Sequence, residues 1–493
     1  MCPPSRIAND EQRTAPLSYE TAVAQMYALG HELAQTPSYK FDLAHIRVLL
    51  AALGHPENRF PTVLVAGTNG KGSTAATLAS ILQASGLKTG LYTSPHLVRI
   101  NERIRLNGKP IGDDDFAMLH DVVDRTAERL VGEGDLPWHP SFFETLTAMS
   151  FEYFARSRPD MVVLEVGMGG RLDATNVVEP RRSIITDISL DHQKYLGETV
   201  GEIAREKAGI IRPGGIVVTL PQLPEANDVT GIAILDADAR AVNAVPYVPP
   251  VSPGSASCLS GEWTTGENAV SNALKAGIRN RYPLEVMGTR ILVESPLVGR
   301  HQLRNLALAI AAAAELRNQG TVQITPETIA QGIRETHWPG RFQVVPATGD
   351  NPEYVFDVAH NPAGAWALRS TLSAAYQNPR SGDAGNGREI TMVFGVMRDK
   401  AVAEITEILF PIAGHVIVTH ANNPRSASPD EIRQAAARVA AGIDIEEAED
   451  VASALDRARK VAGPKPAGPS GLVVATGSIY IVGEAMRMLG VRI

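Results

Sequence analysis

The segment AGTNGKGST (66–74) places three glycines, a lysine and several hydroxyls between a strand-like and a helix-like run. Glycines let the backbone wrap a phosphate, a helix N-terminus adds partial positive charge, and Lys71 supplies a full one. The spacing departs from the usual phosphate loop, because Gly72 separates Lys71 from Ser73. The expectation is nucleotide phosphate binding; the bland alternative is a glycine-rich turn without a ligand. A second segment, LEVGMGGRLDATN (164–176), sets Glu165 near the carboxyl end of a strand-like run. That is the edge at which open α/β sheets bind ligands. Its apolar neighbours in MVVLEV make an unpartnered acid costly, so Glu165 is read as a magnesium ligand in preference to a solvated carboxylate.

Other groups are weaker on their own. In DISLDHQKYLG (187–197), His192 follows a third strand-like run and reads equally as a ligand or a structural histidine. Lys207, two turns into the next helix, reads alone as a solvated surface charge. Arg341 and the segment DVAHNP (357–362) gain meaning only if a second unit faces the phosphate loop.

The elements that must position these groups alternate between strand and helix, which indicates an α/β fold with a mainly parallel sheet. TVLVAG (62–67), MVVLEV (161–166) and SIITDIS (183–189) read as strands, and STAATLASILQASG reads as a helix ended by Gly86. Thr199 and Glu202 form a capping box that opens another helix. PPVSPGSASCLSG (249–261) reads as loop, HQLRNLALAIAAAAEL as helix, and a further helix opens at Thr325 with Pro326 at its first position. HWPGRF (337–342) carries turn residues and is the candidate hinge. Beyond it, YVFDVA, EITMVFGV, HVIVTHA and LVVATGSIYIV form a second alternation, with a capped helix opened by SPDE (428–431) and an exposed loop at 463–471. The expected division is a larger domain over 1–336 and a smaller one over 337–493.

At 493 residues the chain exceeds what one core usually organises. Its 44 % hydrophobic and 20 % charged content is that of an ordinary soluble protein. A net charge of -8 argues against nonspecific affinity for nucleic acid or anionic membrane. Two cysteines, Cys2 and Cys258, make no disulfide framework and fit a reducing cytoplasm. The start MCPPSRIAND lacks a signal-peptide core, and no apolar run is long enough to span a membrane. A cytoplasmic, soluble monomer is expected.

Taken together, the segments resemble the Mur ligase superfamily, and within it the dihydrofolate synthase/folylpolyglutamate synthase family. The strings are GTNGKGST, YTSPHLVRINERIRLNG, SFFETLTA, LEVGMGGRLDATN, SLDHQKYLG, EKAGIIRPG, PGRFQV, FDVAHNP and ATGSIY, in the family's order from about Thr62 onward. The likeness is poor over 221–285 and 377–389, and no site is carried into either.

The resemblance implies a phosphate-loop NTPase-like N-terminal domain and a smaller Rossmann-like C-terminal one. It implies ATP on Thr68, Asn69, Gly70, Lys71, Gly72 and Ser73, with Asn305, Arg341 and Asp357 completing the nucleotide site from the interdomain side. It places two magnesium ions at Ser94, Glu165 and His192, with Lys207 carbamylated as a further ligand, and leaves room for a monovalent cation. It puts the pterin against Ser141, Phe142, Phe143 and Glu144 and against Leu172, Asp173 and Ala174. A phenylalanine ring can stack on a pterin, and a carboxylate can accept from its N–H groups. His360 and Ser478 are candidates for positioning the incoming glutamate.

The implied reaction is ATP-dependent ligation of L-glutamate to dihydropteroate and to reduced folates. The folate-side carboxylate attacks the γ-phosphate, and the glutamate amine then displaces phosphate from the acyl phosphate. Magnesium, Lys71, His192 and Lys207 serve that chemistry, which rests on positioning and electrostatics. Folylpolyglutamate synthesis alone is one alternative. A cell-wall Mur ligase is another, although only about sixty residues precede the phosphate loop, too few for a separate domain of typical size. A non-ligating nucleotide switch is the third, and it would need neither a pterin pocket nor a second metal set.

Overall fold

The computed structural model describes residues 17–30, 42–248, 279–317, 323–349, 351–376, 388–439, 442–463, 471–491 and 493. Both cysteines, the loop at 249–261, most of 377–389 and most of 463–471 lie outside the described residues.

Eight strands build the larger sheet: β1 (Thr62–Ala66), β2 (Thr89–Tyr92), β3 (Ile104–Leu106), β4 (Lys109–Pro110), β5 (Met161–Glu165), β6 (Arg182–Ile185), β7 (Ile216–Thr219) and β8 (Arg240–Asn243). Their order is β4-β3-β2-β5-β1-β6-β7-β8, parallel throughout except at β3 and β4. The side-chain alternation of β1 explains the layering. Leu64 and Ala66 join one buried cluster with Phe151 and Phe154 of the helix Phe142–Ser157. Val63 and Val65 join another, with Leu78, Ile81 and Leu82 of the helix Lys71–Ala84 and Leu306 of the helix Arg300–Arg317. A strand buried on both faces needs an unbroken apolar run, and TVLVA is one.

A two-stranded hairpin follows, β9 (Asn280–Val286) with β10 (Thr289–Ser295). Its turn residues Met287 and Gly288 both have positive φ, 52° and 77°, the geometry that suits a tight two-residue connection.

The second sheet holds β11 (Gln343–Val345), β12 (Glu353–Phe356), β13 (Ile390–Phe394), β14 (His415–Val418), β15 (Asp444–Glu447) and β16 (Leu472–Thr476). Its order is β11-β12-β16-β13-β14-β15, with only β11 antiparallel. Leu472 and Val474 face one buried cluster, Val473 and Ala475 the other. One strand expectation is corrected here: LVVATGSIYIV is not a single strand. β16 stops at Thr476, Gly477 turns at φ +99°, and Ser478 caps a helix Ile479–Met488 by accepting from the Tyr480 amide. A Cβ at Gly477 would sit 2.6 Å from the Gly395 carbonyl oxygen, so the chain can reverse there only as glycine. Among the described residues no helix is long and apolar enough to cross a membrane.

Candidate functional site: the phosphate turn and the cleft beside it

The turn at 67–70 leaves the carboxyl end of β1 and enters the helix Lys71–Ala84. It is stitched to the exit of β6. The Thr68 and Asn69 amides donate to the Asp187 carbonyl at 2.8 and 3.2 Å, and the Thr68 hydroxyl donates to the Ser189 carbonyl at 3.0 Å. Two of the loop's amides are thus spent on the protein itself. The amides that open the helix lack acceptors within it, and these are the ones suited to an anion. Gly70, at φ +87°, lets the turn pass under Asn305: a Cβ there would fall 2.1 Å from the Asn305 side-chain oxygen. Gly72 also passes close to the Trp338 ring, where a Cβ would lie 2.8 Å from the nearest ring carbon.

Two lysines converge behind this turn. Lys71 Nζ donates to the carbonyls of Gly67 and Thr68 at 3.1 and 3.2 Å. Lys207 Nζ donates to the Gly67 carbonyl at 2.9 Å. Lys207 is 4 % exposed, which corrects the reading of it as a solvated surface charge. Its helix, Val200–Ala208, is opened by the expected Thr199–Glu202 capping box and carries the side chain inward. Burial, and then the charge of Lys71, bring its ammonium down to about 7.

Glu165 ends β5 as expected and is 4 % exposed. Its carboxylate accepts from the Ser94 amide at 3.2 Å, which draws Ser94 to the same edge. Burial pushes the acid up to about 7, against the opposing charges of Lys71, Arg341 and Arg103. His192 starts the short helix Gln193–Leu196 in a left-handed conformation, φ 52°. Burial drives its imidazole down to about 3, so the ring is neutral and keeps a lone pair to donate. Among the described residues no group of three or more histidine, cysteine or acidic side chains is arranged to hold a metal. A magnesium site does not need one, because water and phosphate oxygens complete its shell. A buried carboxylate this reluctant to ionise, beside a phosphate turn, fits a cation.

Sequence reasoning missed the partner that His192 keeps. Asp191 accepts from Lys400 Nζ at 2.7 Å and from the Asn361 amide at 3.3 Å, and Asn361 also donates to the Asn69 side-chain oxygen at 3.0 Å. These bonds join the turn region to residues that follow β12 and β13. Burial alone would raise the Asp191 carboxyl; the surrounding His192, Lys400 and His360, with Lys400 in direct contact, hold it well below its ordinary range. Since His192 is itself neutral, Lys400 is the cation that matters. The pair lines a cleft of about 200 Å³ with His192, Lys194 and Arg425. The signal was present in the strings SLDH and MRDK, but no spacing rule links residues 209 positions apart.

His360 faces the same corner, its Nε2 3.9 Å from Asp191 and its Nδ1 2.8 Å from the Val358 carbonyl, with burial pushing the ring down to about 4. Ser478 is 2 % exposed and its hydroxyl serves the helix cap. Asp357 accepts from the Phe342 and Ala359 amides, both at 2.9 Å, and lies within electrostatic reach of Arg341, which also feels Glu165. Of the candidate nucleotide groups, Asn305 meets the turn at Gly70, while Arg341 lies within electrostatic reach of both Asp357 and Glu165.

The two segments expected to hold the pterin have local duties. Ser141 and Glu144 form a capping box, closed by a 2.6 Å hydroxyl–carboxylate bond, and Glu144 also meets His45 at 3.2 Å. Asp173 already accepts from the Met168 and Thr175 amides and from the Thr175 hydroxyl. Phe143 packs against Gly167 and Tyr92, while Phe142 stacks on Tyr27 at 5.9 Å and lies under the Arg103 guanidinium at 5.3 Å. Ala174 is buried and Leu172 partly so. Tyr27, His96, Arg103 and Phe142 line a cleft of about 300 Å³ whose far wall is Tyr480, Glu484 and Arg487. None of the far-wall residues was singled out from sequence.

Comparison with known proteins accounts for the arrangement. The family described as Mur ligase, glutamate ligase domain, matches residues 340–479. The folylpolyglutamate synthase of Lacticaseibacillus casei is 35 % identical, over 80 % of this chain and 83 % of its own. The dihydrofolate synthase/folylpolyglutamate synthase of Bacillus subtilis is 33 % identical, over 91 % of this chain and 95 % of its own. Crystal structures of Mycobacterium tuberculosis folylpolyglutamate synthase complexed with ADP and AMPPCP superpose with a TM-score of 0.79 at 30 % identity, covering 95 % of this chain and 99 % of that one. With this likeness running nearly end to end, through both sheets and the turn between them, the chain belongs to the dihydrofolate synthase/folylpolyglutamate synthase family of Mur-type ligases.

Proposed function

We propose that this chain joins L-glutamate to dihydropteroate and to reduced folates, consuming ATP through an acyl phosphate. The observation that carries the reading is the meeting of Lys71 and Lys207 on the Gly67 carbonyl behind a phosphate turn, with Glu165 within reach of the Lys71 charge. The printed activities of the relatives supply the substrate class. Residues 68–73 hold the nucleotide phosphates, with Asn305, Arg341 and Asp357 on the facing side. Ser94, Glu165 and His192 hold magnesium, which would offset charge on the phosphates when bound. The sparse cysteines suit a cytoplasmic setting.

The chain's own groups then act in order. The segments Ser141–Glu144 and Leu172–Ala174 hold the pterin, and Phe143 offers it a ring face. Lys71 turns from the loop carbonyls to the transferring phosphoryl group and stabilises its charge. His360, beside Asp191, positions the glutamate amine; Ser478 is the second such candidate. Residues 1–336 and 337–493 act as two domains that close about 337–342 to exclude water from a hydrolysable intermediate.

Lys207 works as a carbamate. An amine brought down to about 7 offers a neutral fraction that can add to carbon dioxide, losing one proton to give an anionic carbamate. Lys71 repels the ammonium form but would pair with that anion. The carbamate also presents oxygen, the ligand type magnesium prefers. The test of the whole reading is ADP release by the purified protein. It should require L-glutamate together with dihydropteroate or tetrahydrofolate; release independent of glutamate would leave only a nucleotide hydrolase or switch.

A further inference from the structure

The cleft of about 300 Å³ runs from Phe142 to the helix Ile479–Met488, so each half of the chain supplies one wall. The walls meet at Gly483. A Cβ on this residue would fall 2.0 Å from the Leu97 carbonyl oxygen, so glycine lets the helix sit this near and the contact sets the spacing of the walls.

The walls carry unequal charge. Arg103 stands in the first, 2 % exposed, its Nε donating to His96 Nδ1 at 2.8 Å and its guanidinium 5.3 Å from the Phe142 ring centre. Glu165, the candidate magnesium ligand, also feels the Arg103 charge, so this wall borders the candidate reaction centre. Arg487 stands in the second, in the last turn of its helix. It is exposed and makes no hydrogen bond or ion pair among the described residues. The acid in the lining, Glu484, accepts from the Asn422 amide at 2.9 Å. Two guanidinium groups against one engaged carboxylate suit an anionic guest.

The two acceptors differ in what they bring to such a cleft. Pteroate carries a single carboxylate, and phosphorylation consumes it. A folate carries two on its glutamyl residue: the γ-carboxylate reacts, and the α-carboxylate remains at the other end of a short side chain. Stripping water from that group without a partner is costly. A guanidinium meets a carboxylate with two parallel N–H bonds. At about 300 Å³ the cleft is near the lower end for ligand pockets, room for part of a folate. Phe142 belongs both to this cleft and to a segment assigned to the pterin, so the two places are continuous.

Resting on the reading that the chain ligates glutamate to folates, we propose that this cleft is the subsite for the glutamyl residue already on the acceptor. Arg487 is its specificity-determining residue and pairs with the α-carboxylate, while Arg103 lends charge from the opposite wall.

The experiment compares tetrahydrofolate with tetrahydropteroate, which differ only in the glutamyl residue. Their Kd values are measured by calorimetry on the full-length protein with ADP and magnesium. Arg487→Ala should raise Kd for tetrahydrofolate about tenfold, the scale of a hydrogen bond between charged groups, and move that for tetrahydropteroate by less than about twofold. Arg487→Lys keeps the charge without the fork and should weaken tetrahydrofolate only about threefold. The exposed position spares the core, so the thermal midpoint of both variants should stay near that of the wild type. A wild type that binds neither ligand would sink the reading of the function itself. Weakening of both ligands alike in Arg487→Ala, or of neither, overturns the subsite and leaves that reading standing.

Discussion

Lys71 and Lys207 donate to one oxygen, the Gly67 carbonyl, at 3.1 and 2.9 Å. Burial first, and then the repulsion of the Lys71 ammonium that shares this acceptor, bring Lys207 down to about 7. That relationship sets a lysine that reads alone as a solvated surface charge inside the candidate site.

For Lys207 the expected consequence is a carbamate. Lys207→Ala should lose at least about a hundredfold in activity, the range found when a fixed electrostatic group is removed. Bicarbonate or short carboxylic acids should restore part of it. Lys207→Arg keeps a cation but cannot form this carbamate; full activity in that variant would end the proposal.

Lys71→Ala should lower kcat by about a hundredfold or more while leaving the circular dichroism spectrum and thermal midpoint near those of the wild type. The ammonium bonds loop carbonyls, and Lys71 is not among the buried core residues. Activity within a few-fold of wild type would remove Lys71 from the mechanism.

Glu165 gives a pH dependence whose sign can be worked out. Burial raises its acid from an ordinary 4.5 to about 7, so the folded protein keeps a proton that the unfolded chain has lost. Stability without metal should therefore fall as pH climbs from about 4.5 to about 7. Magnesium needs the carboxylate, so its half-saturating concentration should rise as pH falls below about 7. Titrating activity with magnesium at several pH values measures this. A pH-independent requirement, or an unchanged one in Glu165→Gln, would show that Glu165 is not a ligand.

Asp191 and Lys400, each about a tenth exposed, form a buried pair across the cleft. Lys400→Met leaves the Asp191 carboxylate without its direct cation and should destabilise by about 3–5 kcal/mol. Adding Asp191→Asn should recover part of that loss. Thermal unfolding of the four proteins in this cycle gives the coupling; additive effects within about 0.5 kcal/mol would mean the pair does not hold the two regions together.

Local features were legible in the sequence where a single segment encodes them. The buried runs of β1 and β5, the capping boxes at Thr199 and Ser428, and the turn at Gly70 all follow from neighbouring residues. Long-range pairings were not. Nothing in EKAGI says that Lys207 reaches Gly67, 140 residues away, and nothing in MRDK announces a bond to Asp191. Gly477 was misread because Ile479–Val482 is as apolar as a strand; only the close passage by Gly395 reveals the reversal. Asp173, offered to the pterin by the family resemblance, also accepts three bonds from its own loop, a local duty the string LDATN did not announce.

The central claim is that a substrate carboxylate is activated by phosphorylation before glutamate attacks it. Dihydropteroate labelled with oxygen-18 in its carboxylate tests this most directly, with the phosphate released during glutamate-dependent turnover analysed by mass spectrometry. One labelled oxygen should pass to each phosphate formed, because the bond broken when the amine displaces phosphate is that between the carbonyl carbon and the bridging oxygen. Phosphate free of label, with dihydropteroylglutamate still formed, would contradict the account.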